Sequence, residues 1–311
     1  MILEGFNPYL SLPESIIQQH NYPIAQALQL YEGMGEMNGS HYTNYPPINQ
    51  LCFLIAAIFS SKSVFGAAIV LRVIIILADV GILYFGTKLL EKLHLPVKKI
   101  FWFILNPFII IELTGNLHFE SVMLFFFVWA LYLLHQKKWI LAAVLIACSV
   151  SVKLIPLLFL PLFFQYFVGD TPLKNINQKL FKNTFRYLLF VTIVLVTTVV
   201  LFLPFYSSTL IENYANSVGL WFRNFEFNAS FYYIFREIGY WFRGYNEIAI
   251  IGKILPIITI LFLAVVTILR DNSSTKKMIT ALLFCICFYY FFSTTVHPWY
   301  LATPLILSIF T

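Results

Sequence analysis

Residues 112–121 read ELTGNLHFES, and they place two glutamates, an asparagine and a histidine in a chain that otherwise avoids polar groups. Apolar runs close in on both sides, IFWFILNPFIII before and VMLFFFVWALYLL after. An ionisable side chain at the centre of a membrane helix costs about 2.5–3.5 kcal/mol, so repeated ones at one depth mark a place where substrate is handled. Glu112, Asn116, His118 and Glu120 are therefore candidates to line a polar pocket. Helix capping and hydration would equally explain a lone His–Glu pair, and both readings stand at this point. His118 and Glu120 lie two apart, which puts them on different sides of a helix but lets both serve in a turn.

Other polar groups raise the same choice. Lys153 in SVKLIP either snorkels to water or neutralises the phosphate of a lipid. His297 in VHPWY is either an aromatic-belt residue at a span entry or a donor to an anionic phosphate, since its charge changes near neutral pH. Arg72 and Asp79 are seven apart, two turns along one helix face, and they either pair with each other or point into a polar cavity. The segment 206–246 interleaves aromatic rings with Arg223, Arg236 and Arg243. That composition suits a helix lying in the membrane interface, rings at headgroup level and guanidiniums on phosphates, or a plain amphipathic connector. Cys52, Cys148, Cys285 and Cys287 all sit in apolar runs and read as small buried residues rather than a disulfide or a zinc site. No Walker loop, GxGxxG, HExxH or GxSxG occurs.

These groups must be held by membrane helices. The chain has 311 residues, of which 60% are hydrophobic and 11% charged. A soluble domain carries about 25% charged residues, and the mean hydropathy here is +0.81. The chain reads as an all-α, polytopic membrane protein, and its formal charge of +6 bears on orientation rather than on nucleic acid. Apolar runs at 64–90, 100–114, 119–135, 139–152, 154–168, 186–205, 247–269, 278–294 and 298–311 suggest about nine transmembrane helices, several of them tilted or broken. The run at 49–60 is too short to span and reads as interfacial or re-entrant. Thirteen of the 20 basic residues, from Lys88 to Lys277, fall in alternate loops, which assigns those loops to the cytoplasm. The aromatic and acidic clusters then collect on the opposite face. Residues 1–63 form an external loop with an interfacial helix, and 64–311 a transmembrane domain with the external loop 206–246. Nothing within the chain carries residues 1–48 outside, and PLILSIFT stops within an apolar run, so a fragment is expected at both ends.

GFNPY at 5–9, YPP at 45–47 before a short apolar helix, NPFIIIELTGNLHFES, SVKLIPLLFLP and the late VHPWYL resemble, in order and placement, a known family. They are similar to polyprenol-phosphate-sugar-dependent glycosyltransferases of the membrane-embedded C superfamily (GT-C), nearest in texture to the bacterial mannosyltransferase-like branch. The resemblance covers nearly the whole chain. It implies a GT-C-like fold in the inner or plasma membrane, with external interfacial helices and an extracytoplasmic active site. It also implies transfer of a sugar, mannose, from a polyprenyl-phosphate donor to a glycan or lipid acceptor. The general base of that family is an acidic residue ahead of the GFNPY-like stretch, which here would lie upstream of Met1. Tyr45, Asn116, His118, Glu120 and Asn228 would line the sugar or acceptor pocket. Lys153, Arg223, Arg236 and His297 would offset charge on the departing phosphate. No cofactor is expected and no ligand pattern indicates a metal, although Glu120 is of a type that could assist a divalent ion. Two rivals remain. One is a transporter or lipid flippase using Asp79, Arg72 and Glu120 as a charge relay, but internal repeats are not evident and the polar residues crowd at one face. The other is an inactive fragment of the transferase.

Overall fold

The computed structural model describes residues 1–20, 22–169, 178–223 and 225–311, with 178, 179 and 221–223 described as backbone only. Short helices in the first 40 residues lead into α1 (Pro47–Phe59) and α2 (Val64–Lys92). After a bent segment come α3 (Glu120–His135), α4 (Trp139–Val150) and α5 (Gln178–Phe202). The C-terminal half holds α6 (Leu210–Arg223), α7 (Phe231–Arg243), α8 (Ile248–Leu269), α9 (Thr275–Phe291) and α10 (Ala302–Ile309). The described residues are helices and turns, with an isolated bridge between Phe227 and Thr295.

Three helical stretches are long and apolar enough to cross a membrane: Val64–Lys92, Leu180–Phe205 and Ile248–Leu269. A fourth is counted if Pro107–Gly115 and Glu120–His135, bent by 114° at their join, form one broken span. The nine apolar runs are helical, but among the described residues these three, or four with the bent pair, are the ones of crossing length. The reasons are local. The run at 139–152 gives a helix of 12 residues, about 18 Å at 1.5 Å per residue and far short of a ~30 Å hydrocarbon core. In the run at 154–168, Pro156 and Pro161 remove backbone donors, and Ile155–Phe163 winds as a 3-10 helix before a last short turn of α-helix. Apolar composition registers neither event.

The core forms around α3. Val122, Met123, Leu124, Phe127, Val128, Leu131 and Leu134 are buried on several of its sides, with α2 against one flank and α4 against another. α2 turns Ile75, Ala78, Ile82, Gly86 and Leu89 inward at helical spacing and leaves Ile76, Leu77 and Val80 exposed, as a helix between protein and lipid does. The polar ties between helices are few and placed at the ends. Ser149 donates its hydroxyl to Met123 O at 2.7 Å, fixing α4 on α3. The N–H of Ile48 bonds Ser151 O at 2.8 Å, which registers the start of α1 with the end of α4.

Gly81 sits where α2 crosses α3, and a Cβ there would run into the ring of Phe125. Gly81→Val should overpack this crossing at a cost of about 1–3 kcal/mol and lower the thermal unfolding midpoint in detergent. Gly33→Ala, with nothing within 4 Å of the added carbon, should not lower it. Equal midpoints for Gly81→Val and the parent would show that the crossing is not tight.

Candidate active site

The ELTGNLHFES stretch is shaped by two residues of α2. Asn106 caps the helix that starts at Pro107, accepting from Phe108 N at 3.0 Å. That helix passes into a π-helical turn, Ile110–Gly115, whose last carbonyls have no partner within the helix. Arg72 supplies donors from outside: its Nε reaches Thr114 O at 3.0 Å and its Nη2 reaches Gly115 O at 3.1 Å. The Thr114 hydroxyl donates to Asp79 Oδ2 at 3.3 Å. Arg72 and Asp79 do share one face of α2, as their spacing requires, but neither of the two expected uses is what that face does. No ion pair joins them among the described residues, and together they grip the π-turn. The chain then reverses through Leu117, whose φ is +60°, and the N–H of His118 returns to Leu113 O at 3.0 Å. This delivers His118 and Glu120 to the mouth of α3.

Glu120 is 1% exposed and forms an ion pair with Lys153, itself 14% exposed, at the far end of α4. Its second oxygen, Oε2, has no hydrogen-bond partner among the described residues. The ammonium also lies 5.8 Å from the centre of the Tyr300 ring, within reach of a cation–π attraction.

Rings from distant segments converge beside this pair. His297 is held extended by the following Pro298. It stacks on Trp299 with centroids 4.5 Å apart, and His118 stacks on the same indole at 3.5 Å. Phe227 packs on His297 at 4.9 Å. Backbone hydrogen bonds hold it there, Phe227 N to Thr294 O at 3.1 Å and Val296 N to Phe227 O at 2.9 Å. Glu226 beside it takes hydrogen bonds from the Tyr232 hydroxyl, Arg236 Nη1 at 2.7 Å and Asn246 Nδ2 at 3.1 Å.

Between these elements lies a cavity of about 380 Å³, a size that accommodates a small ligand. Asn38, Asn44, Tyr45, Lys153, His297 and Trp299 line it, together with Tyr289, Thr295, Tyr300 and the apolar Pro46, Leu154, Ile155 and Val218. Of the residues singled out from the sequence, Tyr45, Lys153 and His297 border this space, His118 backs onto Trp299, and Glu120 anchors Lys153. Asn116 is exposed and donates to Glu112 Oε2 at 3.4 Å. Asn228 is exposed at a left-handed turn with φ +49°. Arg236 is engaged by Glu226 and Glu237. The side chain of Arg223 lies outside the described residues. Asn38, Asn44, Trp299 and Tyr300 were missed. Trp299 and Tyr300 carry a signal, lying next to His297 in VHPWY, whereas the two asparagines lie in a polar segment without periodicity. Among the described residues no group of three or more His, Cys, Asp or Glu is placed to hold a metal.

Burial first, and then the charge of Lys153, hold the pKa of His297 below the usual histidine value. Its neutral ring can therefore donate from one nitrogen and accept at the other at pH 7. The unfolded chain takes this proton more readily than the folded protein, so stability present at neutral pH is lost as the pH falls below about 6.5. The thermal midpoint is expected to drop between about pH 7 and pH 5, and His297→Phe, which keeps a ring on Trp299, to shrink that drop. An unaltered pH profile in His297→Phe would exclude this histidine as the cause.

A second, larger cleft of about 510 Å³ is almost wholly apolar and runs between the first 34 residues and helices α1 and α2. An ion pair between Glu4 and Lys62 at 2.7 Å stands at its edge, and Leu117 forms part of its wall.

No curated protein matches the chain. A family model described as the alpha-(1->6)-mannopyranosyltransferase N-terminal domain matches residues 1–169, more than half of the 311 residues. That stretch contains Asn38, Asn44, Tyr45 and Lys153 of the cavity wall, and the ELTGNLHFES turn behind it. The chain belongs to the alpha-(1->6)-mannopyranosyltransferase family.

Proposed function

We propose that this protein transfers mannose from a polyprenyl-phosphate donor to a glycan or lipid acceptor, with the polar cavity opening on the extracytoplasmic side of the membrane. The observation that carries this reading is the Lys153 ammonium, held at the cavity wall by buried Glu120 and flanked by His297 and Trp299. In the reaction the acceptor hydroxyl attacks the anomeric carbon of mannose. The bond from that carbon to the phosphate oxygen breaks, and the lipid phosphate leaves with the bonding electrons. Lys153 offsets the charge that develops on this phosphate, and His297 donates a hydrogen bond to it. Trp299 and Tyr300 supply aromatic surface for the sugar ring, while Asn38 and Asn44 offer carboxamides to its hydroxyls. No carboxylate borders the cavity among the described residues. The proton of the acceptor hydroxyl passes to a general base, which in the family that the chain resembles is an acidic residue.

The donor's apolar tail has a place of its own. Leu117 lines the apolar cleft, and its neighbour His118 stacks on Trp299 of the polar cavity. A lipid-linked sugar can thus lay its tail on one side of the 117–118 turn and its phosphate on the other. The distribution of basic residues into alternate loops supports the extracytoplasmic placement.

The test is mannose transfer by the full-length protein in proteoliposomes, supplied with mannosyl polyprenyl phosphate and compared with nucleotide-linked mannose. Lys153→Met is expected to lower kcat by roughly 10²-fold, the scale set by removing one charge-stabilising donor. Glu120→Gln and His297→Ala are each expected to lower transfer as well. Transfer from the nucleotide-linked sugar alone, or full activity in all three variants, would overturn the reading.

A further inference from the structure

Helix α7 carries an apolar face that the described residues leave largely uncovered, Phe231 at its start resting on Phe292 at 4.9 Å. Phe231, Ile234, Phe235, Ile238, Trp241 and Phe242 recur at three- and four-residue spacing and fall within about 120° of the helix circumference. All six are exposed, Trp241 and Phe242 each at 82%. The opposite arc carries Tyr232, Tyr233, Arg236 and Arg243, and Glu237 borders the stripe beside Trp241. The inner residues of that arc face the protein, where Tyr232 is buried and bonded to Glu226 and Asn246, and Arg236 is bonded to Glu226 and Glu237. The side of α7 that packs on the protein is thus the one with hydrogen-bonding groups, Tyr232 and Arg236, while the greasy side looks outward.

What covers that face follows from where α7 sits. The helix ends at Gly244, whose φ of +77° stops it, and α8 begins at Ile248. α8 is one of the helices long and apolar enough to cross a membrane. The first residues of a crossing helix stand at the membrane boundary, and a four-residue link spans at most about 14 Å. α7 is therefore tethered at the boundary, with tryptophan and phenylalanine outward, the rings that settle at headgroup depth. Arg243, at the end of the helix, is 62% exposed and within 3.4 Å of Glu247.

We infer that α7 lies in the membrane surface, with its Phe231–Phe242 stripe inserted at the boundary between headgroups and acyl chains. The partner is the lipid surface itself. The inner arc ties this anchor to the cavity. Tyr232 and Arg236 hold Glu226, and the adjoining Phe227 is bridged to Thr294 and Val296 and packs on His297. The depth of α7 in the lipid thereby sets the height of His297 relative to the headgroups.

The experiment uses the full-length protein in phosphatidylcholine vesicles. The emission of Trp241 is obtained as the difference between the parent and Trp241→Phe. Lipids brominated near the headgroup end of their acyl chains are expected to quench this emission at least two-fold, and aqueous iodide to leave it unchanged. In the Trp241→Phe background, Arg243→Trp puts an indole on the opposite arc, where iodide should quench and brominated lipid should not. Quenching of Trp241 by iodide would place the stripe in water. Quenching by neither agent would place it against another protein. Either outcome overturns the inference, and neither depends on sugar transfer.

Discussion

One ammonium and one carboxylate share a nearly dry corner where the first turn of α3 meets the end of α4. At the surface such a pair would contribute little to stability. Here each charge has lost most of its water, so removing either partner strands the other and costs about 3–5 kcal/mol. Glu120 and Lys153 must therefore stay together, and much of the surrounding structure is registered to their meeting point. Two residues before Lys153, the carbonyl of Ser151 takes the N–H groups of Ile48 and Asn49 at 2.8 and 3.3 Å. That contact draws α1, and Tyr45 ahead of it, to the same corner. On the other side, Arg72 and Asp79 fix the π-turn that feeds His118 and Glu120 into α3.

Around the pair the chain assembles rings rather than further charges. His118, Phe227, His297 and Trp299 come from three separate segments and stack on one another. Aromatic walls keep the local dielectric low, so an ammonium facing a phosphate acts more strongly there than it would in open water. The cavity thus combines a fixed cation, a neutral imidazole and apolar surface, a combination suited to a ligand that is part phosphate and part sugar. Arg236 serves another purpose: it fastens Glu226, and through it the strand-like segment under His297.

How much of this was legible in the sequence depended on the kind of signal. Lys153, His118, Glu120 and His297 stood out because ionisable groups are rare in apolar runs, and the cavity wall contains or adjoins all four. That Lys153 and Glu120 pair was not legible, because they are 33 residues apart and only the antiparallel return of α3 and α4 brings them together. The seven-residue spacing of Arg72 and Asp79 gave a shared face but not what that face would meet, which proved to be backbone carbonyls of a π-turn. Span number was not legible for the same reason. Hydropathy reports apolar composition, while Pro156, Pro161 and the 114° bend after Gly115 decide which apolar runs become long straight helices. Asn38 and Asn44 reach the cavity from a polar segment with no periodicity, so nothing in their spacing announced them.

The most direct test is the distance between the phosphorus of bound mannosyl polyprenyl phosphate and the Nζ of isotope-labelled Lys153, measured by solid-state NMR in lipid vesicles. Contact within about 4 Å, with His297 coupled to the same phosphorus, is the expected result. A phosphate in contact with Arg236 or another basic residue, with Lys153 still paired only to Glu120, would contradict the assignment of this cavity as the donor site.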